Sequence, residues 1–206
     1  MKKLLSIVFV SVAFMTISNA QNFLFDEGQS GFHVGGQVVS YDGGGLIGII
    51  PGYTSNGIMT ISFGLSLEDN NDGFGSSTGI GPSISYLAVK QDDKNPVSVG
   101  ISSGFQYNTF SDANGLSATF IRLGGFVTHK IAASETINII PIAGIGWVRA
   151  QLNFEGSDVE FIAEEDIGYS IGCVAQFNNK FYITPTLSFS DGNSQFQLLF
   201  GMTFPK

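Results

Sequence analysis

The stretch QFQLLFGMTF, Gln195 to Phe204, decides the fold. Phe196, Leu198, Phe200, Met202 and Phe204 share one parity, while Gln195, Gln197, Gly201 and Thr203 share the other, and Leu199 is the exception. Successive side chains of a strand point to opposite faces, so this segment is apolar on one face and small or polar on the other. The same alternation recurs upstream. Gly79-Ile80-Gly81-Pro82-Ser83-Ile84-Ser85-Tyr86 repeats it, as do the sets Met59, Ile61, Phe63, Leu65, Leu67 and Phe181, Ile183, Leu187, Phe189.

The start of the chain sets the compartment. Lys2 and Lys3, the apolar run Leu4 to Ile17 and the small residues of Ser18-Asn19-Ala20 read as a cleaved export signal over residues 1–20, with no Cys after the cleavage site to make it a lipoprotein signal. No later stretch is apolar for the roughly 18 residues a membrane helix needs. An exported chain that crosses a membrane without helices must close into a barrel, because lipid leaves open sheet edges unsatisfied. The expected layout is a signal at 1–20, a short N-terminal tail at 21–30 and a β-barrel domain at 31–206.

The formal net charge is −8, and loss of Lys2 and Lys3 makes it −10. That balance argues against nucleic acid as a partner, since phosphates require basic patches. The 27 glycines show no three-residue period and suit turns and tight packing along a barrel wall. The single cysteine, Cys173, shares parity with Ile171 and Ala175 and reads as apolar filler.

Ten strands are predicted, at 32–41, 46–54, 57–67, 79–90, 97–110, 116–129, 136–152, 167–177, 181–190 and 195–204, with eight or twelve as alternatives. The seventh is long enough to project beyond a membrane. Long and short connections alternate, and the even count places both chain ends on the short-turn side. No acidic residue falls inside a predicted strand. Asp42, Glu68, Asp69, Asp72, Asp112, Glu155, Asp158, Glu160, Glu164, Glu165, Asp166 and Asp191 lie on the long-loop side, whereas Lys90, Lys94, Lys130 and Lys180 lie on the short-turn side. Uncharged strands with one wholly apolar face favour lipid as the outer solvent. Tyr86, Tyr107, Trp147 and Phe204 are candidates for the aromatic girdles at the two membrane interfaces. Pro51, Pro82, Pro141 and Pro185 count against the strand boundaries, because each removes one ladder hydrogen bond.

The export signal, the alternating segments and the ending Phe200-Gly201-Met202-Thr203-Phe204 resemble the small outer-membrane β-barrel family of Gram-negative bacteria, OmpA/OmpX-like or porin-like. The resemblance covers the chain from about residue 31 onward. It implies an antiparallel up-and-down transmembrane β-barrel in the outer membrane, with membrane lipid and the barrel-assembly machinery as partners. Members usually end on the aromatic residue that this machinery reads, whereas here Pro205 and Lys206 follow Phe204. A peptidoglycan-binding domain is not expected after residue 204.

Candidate chemistry is sparse. His33 and His129 are the only histidines. They fall in the first and sixth strands at the short-turn end, so both read as rim or solvated residues. Hydroxyls without a positioned base make no catalytic triad, and no enzymatic activity is expected. One Cys and no HExxH or CxxC spacing leave no metal motif, and no cofactor is expected. Asp69-Asn70-Asn71-Asp72-Gly73 lacks the later bidentate acid of a calcium loop and reads as a polar loop. Glu160, Glu164, Glu165 and Asp166 form an acidic segment that reads as a solvated loop, or as a short helix folded over the barrel mouth, and is a candidate for divalent cations or an external ligand. Arg122 opposes Ile121 and Leu123 in parity and is placed in the lumen. No predicted strand supplies it a carboxylate, so water, a loop acid such as Glu164 or an anion must balance it. Arg149 is a candidate for lipid phosphate.

The function expected is a non-enzymatic outer-membrane barrel, serving as a narrow pore or as a small-solute or surface-interaction barrel with acidic outer loops. Two other readings stand beside it. A soluble periplasmic or secreted lipocalin-like barrel would turn the apolar parity inward around an apolar ligand. A surface adhesin or scaffold would act through segments 68–78 and 153–166.

Overall fold

A computed structural model describes residues 21–41, 44–70, 75–113, 115–155, 161–190 and 193–206. The export signal at 1–20, Glu160 and the Asn71–Gly73 part of the polar loop lie outside these residues. Ten antiparallel strands form the wall: β1 Gly31–Tyr41, β2 Gly44–Ser55, β3 Met59–Asn70, β4 Gly75–Val89, β5 Ser98–Phe110, β6 Leu116–Thr128, β7 Ile137–Phe154, β8 Phe161–Phe177, β9 Phe181–Ser190 and β10 Asn193–Pro205. A two-residue bridge, Ile131–Ala132, pairs with β7 below the wall. Each strand pairs with its sequence neighbours, and β1 pairs with β10 from Gly31↔Pro205 to Tyr41↔Gln195. That last pairing closes the sheet, so the wall has no free lateral edge along β1 and β10.

The alternation read from the sequence is the alternation of the wall. Phe32, Val34, Ile47, Ile61, Leu67, Ile101, Leu123, Ile145, Ile171, Phe181, Phe196 and Phe200 are all exposed on the outer face. Apolar residues therefore point outward, the reverse of what a lipocalin-like barrel requires.

Both chain ends and the connections β2–β3, β4–β5, β6–β7 and β8–β9 lie at one end, here the terminal end. Tight turns close two of these hairpins. Asn56 and Gly57 have φ of 53° and 62°, and Asn178 and Asn179 have φ of 53° and 51°. Asn and Gly tolerate this left-handed backbone, whose twist matches that of the flanking strands.

Three expectations are corrected here. The four prolines sit within continuous strands. The ladder instead skips the pair beside the proline on one side, at Ile50–Pro51 facing β3, Gly81–Pro82 facing β5 and Thr184–Pro185 facing β9, and resumes in the same register. The contrast between long and short connections disappears, because β3, β4, β7 and β8 run into the segments read as long loops. Acidic residues do enter strands, since Glu68 and Asp69 end β3 and Glu164, Glu165 and Asp166 belong to β8. A strand that runs beyond the apolar band of the wall keeps no apolar face, so its sequence resembles a loop.

Glycines let strands approach closely at mid-wall. A Cβ at Gly81 would collide with the Phe105 carbonyl oxygen, which is backbone and cannot yield. Gly81→Ala is expected to destabilise the barrel by about 1–3 kcal/mol, read as a lower urea midpoint with unchanged strand content by circular dichroism.

Candidate functional site

The inward face is packed with side chains from end to end. Thr54, Thr60, Ser85, Gln106, Asn108, Gln176, Thr186 and Gln197 are all buried. Their hydrogen bonds run along the inner wall: Thr54 to Thr60 at 2.7 Å between β2 and β3, the Gln106 amide to Asn108 at 2.7 Å within β5 and the Gln197 amide to Gln37 at 3.1 Å between β10 and β1. Buried polar groups satisfied by one another stiffen a core and leave little room for solvent.

Arg122 lies in this packed lumen on β6, only 2% exposed. Its Nη1 donates to Gln106 Oε1 at 3.0 Å, and its guanidinium stands 5.2 Å from the Phe120 ring centre. The carboxylate coupled to it is Glu68 of β3, also 2% exposed, which accepts from Tyr41 Oη at 2.7 Å and Ser77 Oγ at 2.9 Å. This corrects the expectation that no strand supplies an acid. Glu68 had been assigned to a loop, and its position on the inner face appears only once β3 extends to Asn70.

Beside Arg122 the inner wall is unexpectedly apolar. Leu116, Ala118 and Phe120 of β6 pack against Val148, Ala150 and Leu152 of β7. Glu68, Asp69, Tyr41 and Leu46 line a cavity of about 660 Å³ at the end opposite the termini.

From Phe161 to Asp166 the acidic segment is strand rather than helix or loop. Phe161 to Asp166 pair with β7 through Leu152↔Phe161, Ala150↔Glu164, Arg149↔Glu165 and Val148↔Asp166. Glu165 is exposed and faces Arg149 at 3.9 Å, an ion pair of little energetic weight in water. Asp166 accepts from Ser190 Oγ and from the backbone N–H of Ile167. Among the described residues no three His, Cys, Asp or Glu side chains converge to hold a metal ion.

The aromatic candidates lie on the outer face. Tyr86 and Phe204 are near the terminal end, Tyr107 lies toward the other, and the half-buried Trp147 pairs with Leu123 at mid-wall rather than at a rim. Phe204 faces Phe32 in register, and Phe32 meets the Tyr53 ring at 5.0 Å. Lys206 Nζ stands 5.1 Å from the Phe32 ring centre.

Sequence reading missed what happens at the terminal end. Gln21–Leu24 form a short 3₁₀ turn that, with Phe25, enters the lumen. Phe23, Leu24 and Phe25 are buried among Ile50, Leu87, Phe126, Ile140, Ile142, Val174, Tyr182 and Leu199, and the Phe23 and Phe126 rings meet edge-on at 6.5 Å. Polar contacts fasten the segment. Gln176 Nε2 donates to the Leu24 carbonyl at 2.8 Å, Lys130 Nζ pairs with Asp26 at 2.7 Å, and Lys90 Nζ reaches the Gly57 carbonyl at 3.2 Å and the Phe25 carbonyl at 3.5 Å. Burial holds the Lys90 ammonium below its ordinary pKa, while Glu27 and Asp26 draw it back up. Gly57 is required twice over, for its positive φ and because a Cβ there would strike the Asp26 carbonyl oxygen. What was read as a tail is a plug, and Leu199, the misfit of the opening stretch, is part of its seat.

His129 is the rim residue expected of both histidines, and His33 is not. His33 is fully buried on the inner face of β1, with Nε2 3.3 Å from Ser62 Oγ. Its Nδ1 has no hydrogen-bond partner among the described residues, so the orienting acid of a triad is missing. His129 is half-buried in the β6–β7 connection, with its ring against the Pro96 carbonyl.

No protein-family model matches the chain, and no curated protein matches it. Solved structures do. The beta domain of the Bordetella autotransporter Brka superposes with a TM-score of 0.52 at 14% identity, over 87% of this chain and 100% of that one. The fold is that of outer-membrane β-barrels. The KdgM porin also aligns, with a TM-score of 0.44 at 9% identity over 84% of this chain and 99% of that one. Ail, the attachment invasion locus protein of Yersinia pestis, aligns with a TM-score of 0.41 at 14% identity over 88% and 100%.

Proposed function

We propose that this chain is a non-enzymatic outer-membrane barrel, closed to passage as described, that works through the surface formed where β3, β4, β7 and β8 extend past the membrane. The observation that carries this reading is the continuous burial of the inward face, capped by Phe23, Leu24 and Phe25 at the terminal end. A standing pore needs a wet axis, and these side chains occupy it. The outward apolar face supports lipid as the surrounding solvent and the outer membrane as the location. Five lysines at the terminal end, Lys90, Lys94, Lys130, Lys180 and Lys206, are balanced there by Asp26, Glu27, Asp92, Asp93 and Glu135, whereas the other end carries Glu68, Asp69, Asp112, Glu155, Glu165 and Asp166 against Arg122 and Arg149, so the net acidic end is the one presented outward. Partners there would be cationic or rich in hydrogen-bond donors.

Purified protein in planar lipid bilayers is expected to give no steady conductance, while whole cells displaying it bind a cationic surface or peptide that cells expressing a Glu165→Gln, Asp166→Asn, Asp69→Asn variant bind less. Steady channel steps from the wild-type protein would overturn the closed reading. Unchanged binding by the triple variant would remove the acidic end as the working surface.

A further inference from the structure

Phe23-Leu24-Phe25-Asp26-Glu27 has the layout of an anionic amphiphile, an apolar body followed at once by two carboxylates. Its seat has the complementary layout. Ile50, Leu87, Phe126, Ile140, Val174 and Leu199 gather six inward apolar side chains from six strands, in a lumen whose other inward positions at this end include Thr54, Thr60 and Ser85. Lys90 and Lys130 stand at the rim. A cavity of about 420 Å³ already opens beside the seated segment, lined by Phe23, Phe25, Leu87, Lys90 and Lys130 among others.

We propose that this chamber is a binding site for anionic amphiphiles, molecules with an acyl-like body and a carboxylate head, and that segment 23–27 is its resident competitor. An apolar chain takes the space of the Phe and Leu side chains, the carboxylate takes Lys130 from Asp26 and engages Lys90, and the Gln176 amide donates to the head in place of the Leu24 carbonyl. Charge couples the two occupants. While the segment is seated, Asp26 and Glu27, with Asp92 and Asp93 nearby, outweigh the two lysines and disfavour an incoming anion. When the segment withdraws, its two carboxylates leave with it. The vacated rim then sets Lys90 and Lys130 against Asp92 and Asp93 alone, with Asp92 turned to the N–H groups of Lys94 and Asn95 in its own turn. The movement that empties the apolar space also removes two of the four negative charges that oppose an incoming anion. This site depends on the barrel fold and not on the surface role proposed above.

The test uses the full-length protein in nanodiscs, titrated with the anionic apolar fluorophore 1-anilinonaphthalene-8-sulfonate against empty nanodiscs as background. Two variants loosen the plug: Phe23→Ser with Phe25→Ser, and Asp26→Asn with Glu27→Gln, which leaves every apolar contact in place. Both are expected to bind the probe at least about fivefold more tightly than wild type, a shift of about 1 kcal/mol. Laurate is expected to displace the probe and dodecanol is not, and adding Lys90→Ala with Lys130→Ala should weaken binding about tenfold. Variants that keep the wild-type mobility of the unboiled barrel on a gel yet bind no more probe than wild type would overturn the site. Equal displacement by laurate and dodecanol would overturn its anionic selectivity.

Discussion

Arg122→Leu is expected to destabilise the barrel by about 1–3 kcal/mol, because it removes the buried donor to Gln106 and the cation that acts on Glu68 through space. The size of the effect follows from burial. A surface pair would give a fraction of this, whereas here both partners are 2% exposed. Glu68 retains Tyr41 and Ser77 as donors, and those two hydrogen bonds do not neutralise a carboxylate. Gln106 loses its donor at the same time. The double variant Glu68→Leu, Arg122→Leu should recover most of the loss, since replacing a buried pair by apolar groups removes both desolvation penalties together. Urea unfolding in lipid vesicles, followed through all four corners of the double-mutant cycle, measures the coupling. Losses that simply add would show that Glu68 is not the partner of Arg122.

A substitution on the opposite face reports on the solvent. Leu123 follows Arg122 on β6 and points outward, 51% exposed. Leu123→Arg is expected to cost about 2–4 kcal/mol in a bilayer, because a guanidinium at mid-membrane depth loses its hydration. The same change on a water-facing strand would lie within about 0.5 kcal/mol of zero. A graded response adds specificity. Tyr86→Arg and Phe204→Arg, near the terminal rim, should cost less than Leu123→Arg, since the penalty falls to about 0–1 kcal/mol near the interface. A flat response along the outer face would mean that water surrounds it.

The parts of the fold that the sequence made legible are those where lipid imposes a rule. From Ile47 to Leu67 and from Phe181 to Phe204 the outer face must be apolar at every second residue, so strand, parity and direction can be read directly. The rule lapses where strands run beyond the apolar band. Gly75-Ser76-Ser77-Thr78 and Glu164-Glu165-Asp166 carry no apolar alternation and read as loops, although backbone pairing continues through both. Glu68 was lost as the partner of Arg122 for the same reason. The plug was hidden by a different cause. Leu87, Val174 and Leu199 each break the polar parity of their strand once, and isolated breaks carry no message, while Ile50, Phe126 and Ile140 share their inward faces with other apolar residues and do not stand out. Only closure of the sheet shows that they converge on one place, and only the seated Phe23, Leu24 and Phe25 explain why. Arg122 could be placed on the inner face by parity alone, whereas the burial of His33 appears only once β1, β2 and β3 bring it against Gly52 and Ser62.

The central claim is that a closed barrel meets lipid with its apolar face. Cells expressing the full chain should be fractionated, and the membrane protein extracted in mild detergent and run on a denaturing gel with and without boiling. The account predicts recovery in the outer-membrane fraction and faster migration of the unboiled sample, because a closed sheet with every strand paired resists detergent until heated. A protein recovered without detergent from the soluble periplasmic fraction, with one mobility before and after boiling, would contradict it.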